Sequence, residues 1–207
     1  MLLRPLPADP LPRAVIFDCD GTLVDSMMAH YEGWLEAFAA HGLQDVLGVG
    51  EYLALGGVPG PVIIDHVNRT HGLALACEPV LRMKREAVWK FVDRLRPMEP
   101  AVSWARWCQA RGLGLAVASG GTRPIVLASL KAAGLDDLFA PEHVLTAEDA
   151  DRGKPHPDLF LLTASRLGVA PADCLVVEDA PPGLEAAAAA GMRALDVRDF
   201  PEWTGFR

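Results

Sequence analysis

The sequence predicts an α/β protein: a core built on a parallel β-sheet, with a helical cap inserted after the first strand. Three observations carry this expectation. Beyond Pro97 and Pro100, short apolar runs alternate with helical patterns, the order that gives parallel strands joined by right-handed crossovers. From Met27 to Leu95 the pattern is helical, without a convincing strand. Each polar cluster with chemical potential follows the end of an expected strand, where ligands bind in open parallel sheets.

The first strand is Ala14 to Phe17, an apolar run that reads as buried on both faces. It ends in Asp18-Cys19-Asp20-Gly21. An unpaired buried carboxylate costs several kcal/mol, so two of them belong beside water, a cation or a substrate. Gly21 lets the chain turn sharply there. Asp25 or Ser26 can cap a helix to about His41, stopped by Gly42, with Trp34, Leu35 and Phe38 as its apolar stripe. A Gly/Pro-rich turn, Gly56 to Pro61, precedes helices over Val62 to Thr70 and Pro79 to Leu95.

After Pro100 the expected order is helix Ala101–Arg111, strand Leu113–Ala118, helix Arg123–Ala133 and strand His143–Ala147. It continues as helix Leu159–Leu167, strand Cys174–Val177, helix Pro182–Ala190 and strand Arg193–Val197. The expected division is a core of residues 1–26 and 96–207 and a cap of residues 27–95. Trp104 and Trp107 share one helix face and read as packing residues. The proline-broken segment Met1 to Pro7 reads as an irregular arm, not a signal-peptide core.

With 207 residues, 51% of them hydrophobic, the chain can bury a substantial core. A net charge of -8 argues against nonspecific nucleic-acid binding. It also means that local cations must attract any anionic substrate. No apolar run approaches the ~20 residues of a membrane span. Cys19, Cys77, Cys108 and Cys174 form no CxxC pair, which fits a reducing, cytoplasmic setting. Cys19 reads as a small apolar filler. Nothing in the sequence points to an oligomeric partner.

The run Asp18-x-Asp20-Gly21-Thr22-Leu23-Val24-Asp25-Ser26 resembles the first motif of the haloacid dehalogenase (HAD) superfamily. Ser119-Gly120-Gly121, Gly153-Lys154-Pro155 and Glu178-Asp179 resemble its other motifs in the expected order. The run Ala190 to Arg198 is similar to the β-phosphoglucomutase-like and sugar-phosphate phosphatase branch. Ala180-Pro181-Pro182-Gly183 departs from the more usual Ser-x-x-Gly. The resemblance implies a Rossmann-like core, a helical cap of the C1 type and a phosphatase with an aspartate nucleophile.

By that resemblance Asp18 attacks phosphorus, and Asp20 protonates the leaving alcohol and then activates water. Ser119 and Gly120 hold a phosphoryl oxygen, and Lys154 supplies compact positive charge. Asp18, Asp179 and the Asp20 carbonyl form a hard-oxygen set suited to Mg²⁺, whereas no His/Cys cluster has zinc spacing. Glu178 acts through metal-bound water or by orienting Lys154. His156 is expected to be structural or exposed. In the cap, His30 orients the leaving oxygen or Asp20, and Lys84 binds a hydroxyl or stabilises anionic charge.

The implied activity is Mg²⁺-dependent hydrolysis of a small phosphorylated metabolite, a sugar or polyol phosphate, through an aspartyl phosphate. A phosphomutase is the alternative. In mutases of that branch an arginine on the loop matching Gly57 to Gly60 grips a distal phosphate, and Gly56 to Pro61 contains no arginine. A catalytically silent binding module is disfavoured by the complete acidic and basic set. Closure of the cap over the core is the expected motion.

Overall fold

The computed structural model describes residues 5–203. Residues 1–4 of the expected N-terminal arm, and the last four of the expected core, lie outside the described residues. In chain order the elements begin with β1 (Ala14–Phe17), β2 (Val24–Asp25), α1 (Met27–Ala39), α2 (Val49–Ala54), α3 (Gly60–His71) and α4 (Cys77–Val88). They continue with β3 (Arg96–Pro97), α5 (Ala101–Gln109), β4 (Gly114–Ser119), α6 (Arg123–Ala132) and β5 (Val144–Thr146). The last are α7 (Asp158–Leu167), β6 (Cys174–Glu178), α8 (Pro181–Ala189) and β7 (Arg193–Asp196).

Five strands form one parallel sheet in the order β5-β4-β1-β6-β7. The first strand of the chain is therefore the central one, with Ile16 in register with Ala116 on one side and Val176 on the other. Its side chains alternate between two cores. Val15 and Phe17 pack with α5 and α6, while Ala14 and Ile16 pack with α7 and α8. Burying each such large apolar side chain contributes about 1.5–3 kcal/mol. Trp104 and Trp107 belong to the first core, and Trp104 meets Phe200 edge-on at 4.8 Å. Cys19 is also in that core, where burial, ahead of the nearby Asp20 and Asp18, pushes its thiol well up and keeps it protonated.

Helices α1 to α4 have a core of their own, which includes Trp34, Phe38, Ile63, Val67 and Val80. Where they depart from the sequence expectation, a physical cause is visible. Helix α2 falls within the region expected to be helical, in a stretch to which the sequence assigns no individual helix. Its start is stabilised by Glu51 accepting the Gly48 N–H at 3.2 Å. The helix expected from Pro79 starts at Cys77 and tightens after Val88 into a 3₁₀ segment, Trp89–Arg94. Two-residue strands β2 and β3 were not anticipated. They pair antiparallel, Val24 with Pro97 and Asp25 with Arg96, so the chain enters and leaves the helical region side by side.

Candidate active site

The site forms where β1 ends between β4 and β6. Asp18 extends the strand by one residue and donates its N–H to the Val177 carbonyl at 2.9 Å. The chain then reverses: the Cys19 carbonyl accepts from Leu23 and Val24, and the Gly21 N–H reaches the Val24 carbonyl. Gly21 has φ +90°, and a Cβ there would lie 2.5 Å from Asp179 Oδ2. Backbone conformation and close approach both demand glycine. The next residue uses that approach, as the Thr22 hydroxyl donates to Asp179 Oδ1 at 2.8 Å. The Asp-x-Asp-Gly-Thr spacing thus delivers two carboxylates and the support for a third.

Lys154 reaches the centre from the loop after β5. Its buried ammonium donates to Asp18 Oδ1 at 2.6 Å and Glu178 Oε1 at 2.7 Å. Burial opposes its charge, but Asp18 and Glu178 hold its pKa well above the usual lysine range. Glu178 is itself fixed, because Oε2 accepts the N–H groups of Asp179 and Ala180 at 2.7 Å each. Gly183 in α8 makes room for it: a Cβ there would sit 1.7 Å from Glu178 Oε1. Of the two roles expected for Glu178, orienting Lys154 has a direct contact behind it.

Asp18, Glu178 and Asp179 each place an oxygen within 4.8 Å of the others. Burial raises Asp18 well above the carboxylate range against the pull of Lys154, and Glu178, Asp179 and Asp20 add to the rise. Burial and then Glu178 push Asp179 up to about 7, against Thr22, Lys154 and Arg198. Three buried carboxylates around one ammonium carry excess negative charge, the condition that a bound divalent cation relieves. The all-oxygen donor set fits a hard ion such as Mg²⁺.

Asp20 belongs to a second, less buried line of contacts. Its Oδ1 accepts the Ser26 hydroxyl at 2.6 Å and faces His30 Nε2 at 3.1 Å. On the far side of the ring, Lys84 Nζ lies 2.7 Å from His30 Nδ1, and Lys84 also sits over the Trp34 ring. Burial works against Asp20 ionising, but His30, Ser26 and Lys84 outweigh it and hold the carboxyl well below its usual range. Burial, then Lys84, lowers the His30 pKa against the pull of Asp20. A neutral ring accepting from Lys84 and donating to Asp20 satisfies all three groups.

These contacts sort the sequence expectations. His30 faces Asp20, one of its two expected targets. Lys84 contacts His30 rather than open space. Ser26 stands at the N-cap position of α1 but makes no side-chain cap bond, because its hydroxyl is drawn to Asp20. Sequence reasoning missed that role, although Ser26 closes the motif run. Ser119 is fully buried, with its hydroxyl 3.4 Å from Asp20 Oδ2 and accepting the Gly121 N–H at 3.0 Å. Gly120 and Gly121 are the parts of that loop that line the cavity. His156 is exposed, as expected.

The cavity beside these groups is about 560 Å³. Its floor includes Asp18, Asp20, Lys154 and Asp179, and its roof includes His30, Trp34, Tyr52, Lys84, Arg85 and Trp89. The roof meets the core closely at Gly57 (φ +76°), where a Cβ would come within 2.5 Å of the Ala180 Cβ. Tyr52 and Arg85 were not singled out in the sequence. Tyr52 carries no motif signal, and Arg85 is marked only by adjacency to Lys84.

Residues 12–191 match a family model described as haloacid dehalogenase-like hydrolase. The chain is 36% identical to the fructose-1-phosphate phosphatase YqaB of Escherichia coli (strain K12), over 89% of this chain and 95% of that protein. It is 33% identical to hexitol phosphatase A of the same strain, over 89% of this chain and 82% of that one. Among solved structures, CbbY from Rhodobacter sphaeroides in complex with phosphate superposes with a TM-score of 0.78 at 26% identity. That match covers 89% of this chain and 85% of the other.

Proposed function

The chain belongs to the haloacid dehalogenase-like hydrolases and is a phosphatase; on that premise we propose that it hydrolyses a small sugar or polyol phosphate in the cytoplasm, with Asp18 as nucleophile. The observation that carries the reading is the convergence of Asp18, Asp20, Lys154 and Asp179 on one cavity at the carboxyl end of the sheet. The relatives named for fructose 1-phosphate and hexitol phosphates support the substrate class. The four free cysteines favour a reducing compartment. Among the described residues no helix is long and apolar enough to cross a membrane.

In this mechanism an Asp18 oxygen forms a bond to phosphorus while the bond from phosphorus to the substrate alcohol breaks. Asp20 protonates the departing alkoxide. At rest Asp20 is ionised by its contacts with His30 and Ser26. The arriving phosphoryl charge raises its proton affinity, so that it takes up one proton from solvent as the substrate binds and passes that proton to the leaving oxygen. In the second half Asp20 removes a proton from water, and the resulting hydroxide displaces Asp18 from phosphorus. Lys154 balances charge on Asp18 and the phosphoryl oxygens, and Gly120 with Gly121 lets backbone approach the anion. Mg²⁺ held by Asp18, Asp179 and the Asp20 carbonyl would neutralise charge on the phosphoryl group. Residues 27–95 act as the cap that reads the alcohol, since the core groups address only the phosphoryl end.

The decisive experiment is a screen of the purified protein against phosphometabolites, with Mg²⁺ and with EDTA. Phosphate release from sugar or polyol phosphates that EDTA abolishes is expected; activity unchanged by EDTA would remove the metal assignment. The same titration has a pH signature. Because Asp179 is raised to about 7, protons compete for the metal site below that pH. The Mg²⁺ activation constant should rise as pH falls from about 8 to 6, by about tenfold per unit below 7 for one competing proton. A pH-independent constant would contradict it.

Hydrolysis is favoured over phosphomutation by the roof of the cavity. Gly57 to Gly60 line it without a cation, and a Cβ at Gly60 would come within 2.5 Å of the Leu81 side chain. The nearby cap cations are engaged, Lys84 by His30 and Arg85 by Glu78 at 3.1 Å. Inorganic phosphate should therefore appear without a bisphosphate activator. Efficient interconversion of β-glucose 1-phosphate and glucose 6-phosphate would reverse this assignment.

A further inference from the structure

We propose that Arg123 and Asp149 are a positioning pair that sets the distance between the phosphate-binding loop and the loop that delivers Lys154; this rests on the phosphatase reading above. Neither residue belongs to the reacting set. Arg123 opens α6 directly after Ser119-Gly120-Gly121-Thr122, and its Nη2 lies 2.9 and 2.8 Å from the two Asp149 oxygens. Asp149 Oδ2 also accepts the N–H and hydroxyl of Thr146, at 2.8 and 3.0 Å. Thr146 is the last residue of β5 and stands in register with Ser119 at the end of β4. The carboxylate therefore ties the Arg123 side chain to the strand end that precedes the lysine loop.

Two further links run alongside, one between main-chain groups and one from the main chain to a carboxylate. The Ala147 N–H reaches the Gly121 carbonyl at 3.3 Å, and the Arg123 N–H reaches Glu148 Oε2 at 3.0 Å. Gly121 also bonds the Ser119 hydroxyl, so the tie continues to the contact with Asp20. The need for a tie follows from topology. Strand β5 is the sheet edge, with β4 between it and the catalytic β1. Lys154 must cross from that edge to Asp18 on a loop without a helix or strand of its own. Arg123–Asp149 anchors the near end of this loop against the phosphate loop. A partly exposed ion pair adds little to stability, which makes geometry its more consequential contribution.

The test compares Arg123→Gln, Asp149→Asn, the double variant and Arg123→Lys in the full chain with Mg²⁺. The readouts are KM and kcat for the best sugar phosphate, Ki for inorganic phosphate and the unfolding midpoint. Each single variant should raise KM and the phosphate Ki together by about tenfold, since misplaced groups lose anion binding. The double variant should match the singles, and Arg123→Lys should recover part of the loss. KM and Ki within twofold of the parent, additive losses in the double variant, or a lowered midpoint with intact KM and Ki would each overturn the proposal. Failure of the parent protein to release phosphate would instead defeat the functional reading beneath it.

Discussion

Asp18→Asn is expected to abolish turnover, by roughly 10⁴-fold or more, while the protein stays folded. The amide keeps the shape of the carboxylate but has no charged oxygen to attack phosphorus. Lys154 keeps Glu178 as its partner, so its ammonium is not stranded. Removal of the Asp18 charge gives up the attraction to Lys154 but relieves the repulsion from Glu178 and Asp179, two opposed effects. The metal-free variant should therefore unfold cooperatively, close to the midpoint of the parent. Rapid-quench labelling of the parent should place an acid-stable, base-labile phosphate on the peptide that contains Asp18. Label on Ser119 or on a histidine would refute the mechanism, as would substantial turnover by a correctly folded Asp18→Asn protein.

The second large effect concerns the line Asp20–His30–Lys84. His30→Ala and Lys84→Ala should each lower kcat/KM for the preferred sugar phosphate by about 10²-fold, and by only a few-fold for p-nitrophenyl phosphate. A sugar alkoxide needs its proton in the transition state; p-nitrophenolate leaves with little help. The pH dependence follows from Lys84, which burial lowers to about 8 against the pull of Asp20. Below that pH the ammonium is charged, holds His30 through Nδ1 and supports ionised Asp20. Above it the charge is lost, so sugar-phosphate hydrolysis should decline on the alkaline side of about 8. Lys84→Ala should lack that limb. Equal losses on both substrates would show that these residues support the fold or the general site, and their role in leaving-group chemistry would be withdrawn.

The sequence by itself determined the elements whose cause is local. Ala14 to Phe17 is apolar at each position and became the central strand. Asp18, Asp20, Gly21 and Thr22 lie within five residues, so one turn could only bring them to one place. The positions of Lys154 beyond β5 and of Glu178-Asp179 at the end of β6 were legible because a parallel sheet gathers such ends on one side. Tertiary structure alone decided which partner each side chain took. Ser26 could satisfy a helix N-terminus or a carboxylate, and packing of α1 beside the catalytic turn chose Asp20. Lys84 and His30 are 54 residues apart, on helices that touch only after α1 and α4 pack. Arg123 and Asp149 meet because β5 pairs with β4, a register no local pattern encodes. Backbone conformation is set over a few neighbouring residues, so sequence shows it directly. A long polar side chain selects among several donors and acceptors of similar strength, and the choice falls to whichever the folded core brings within about 3 Å.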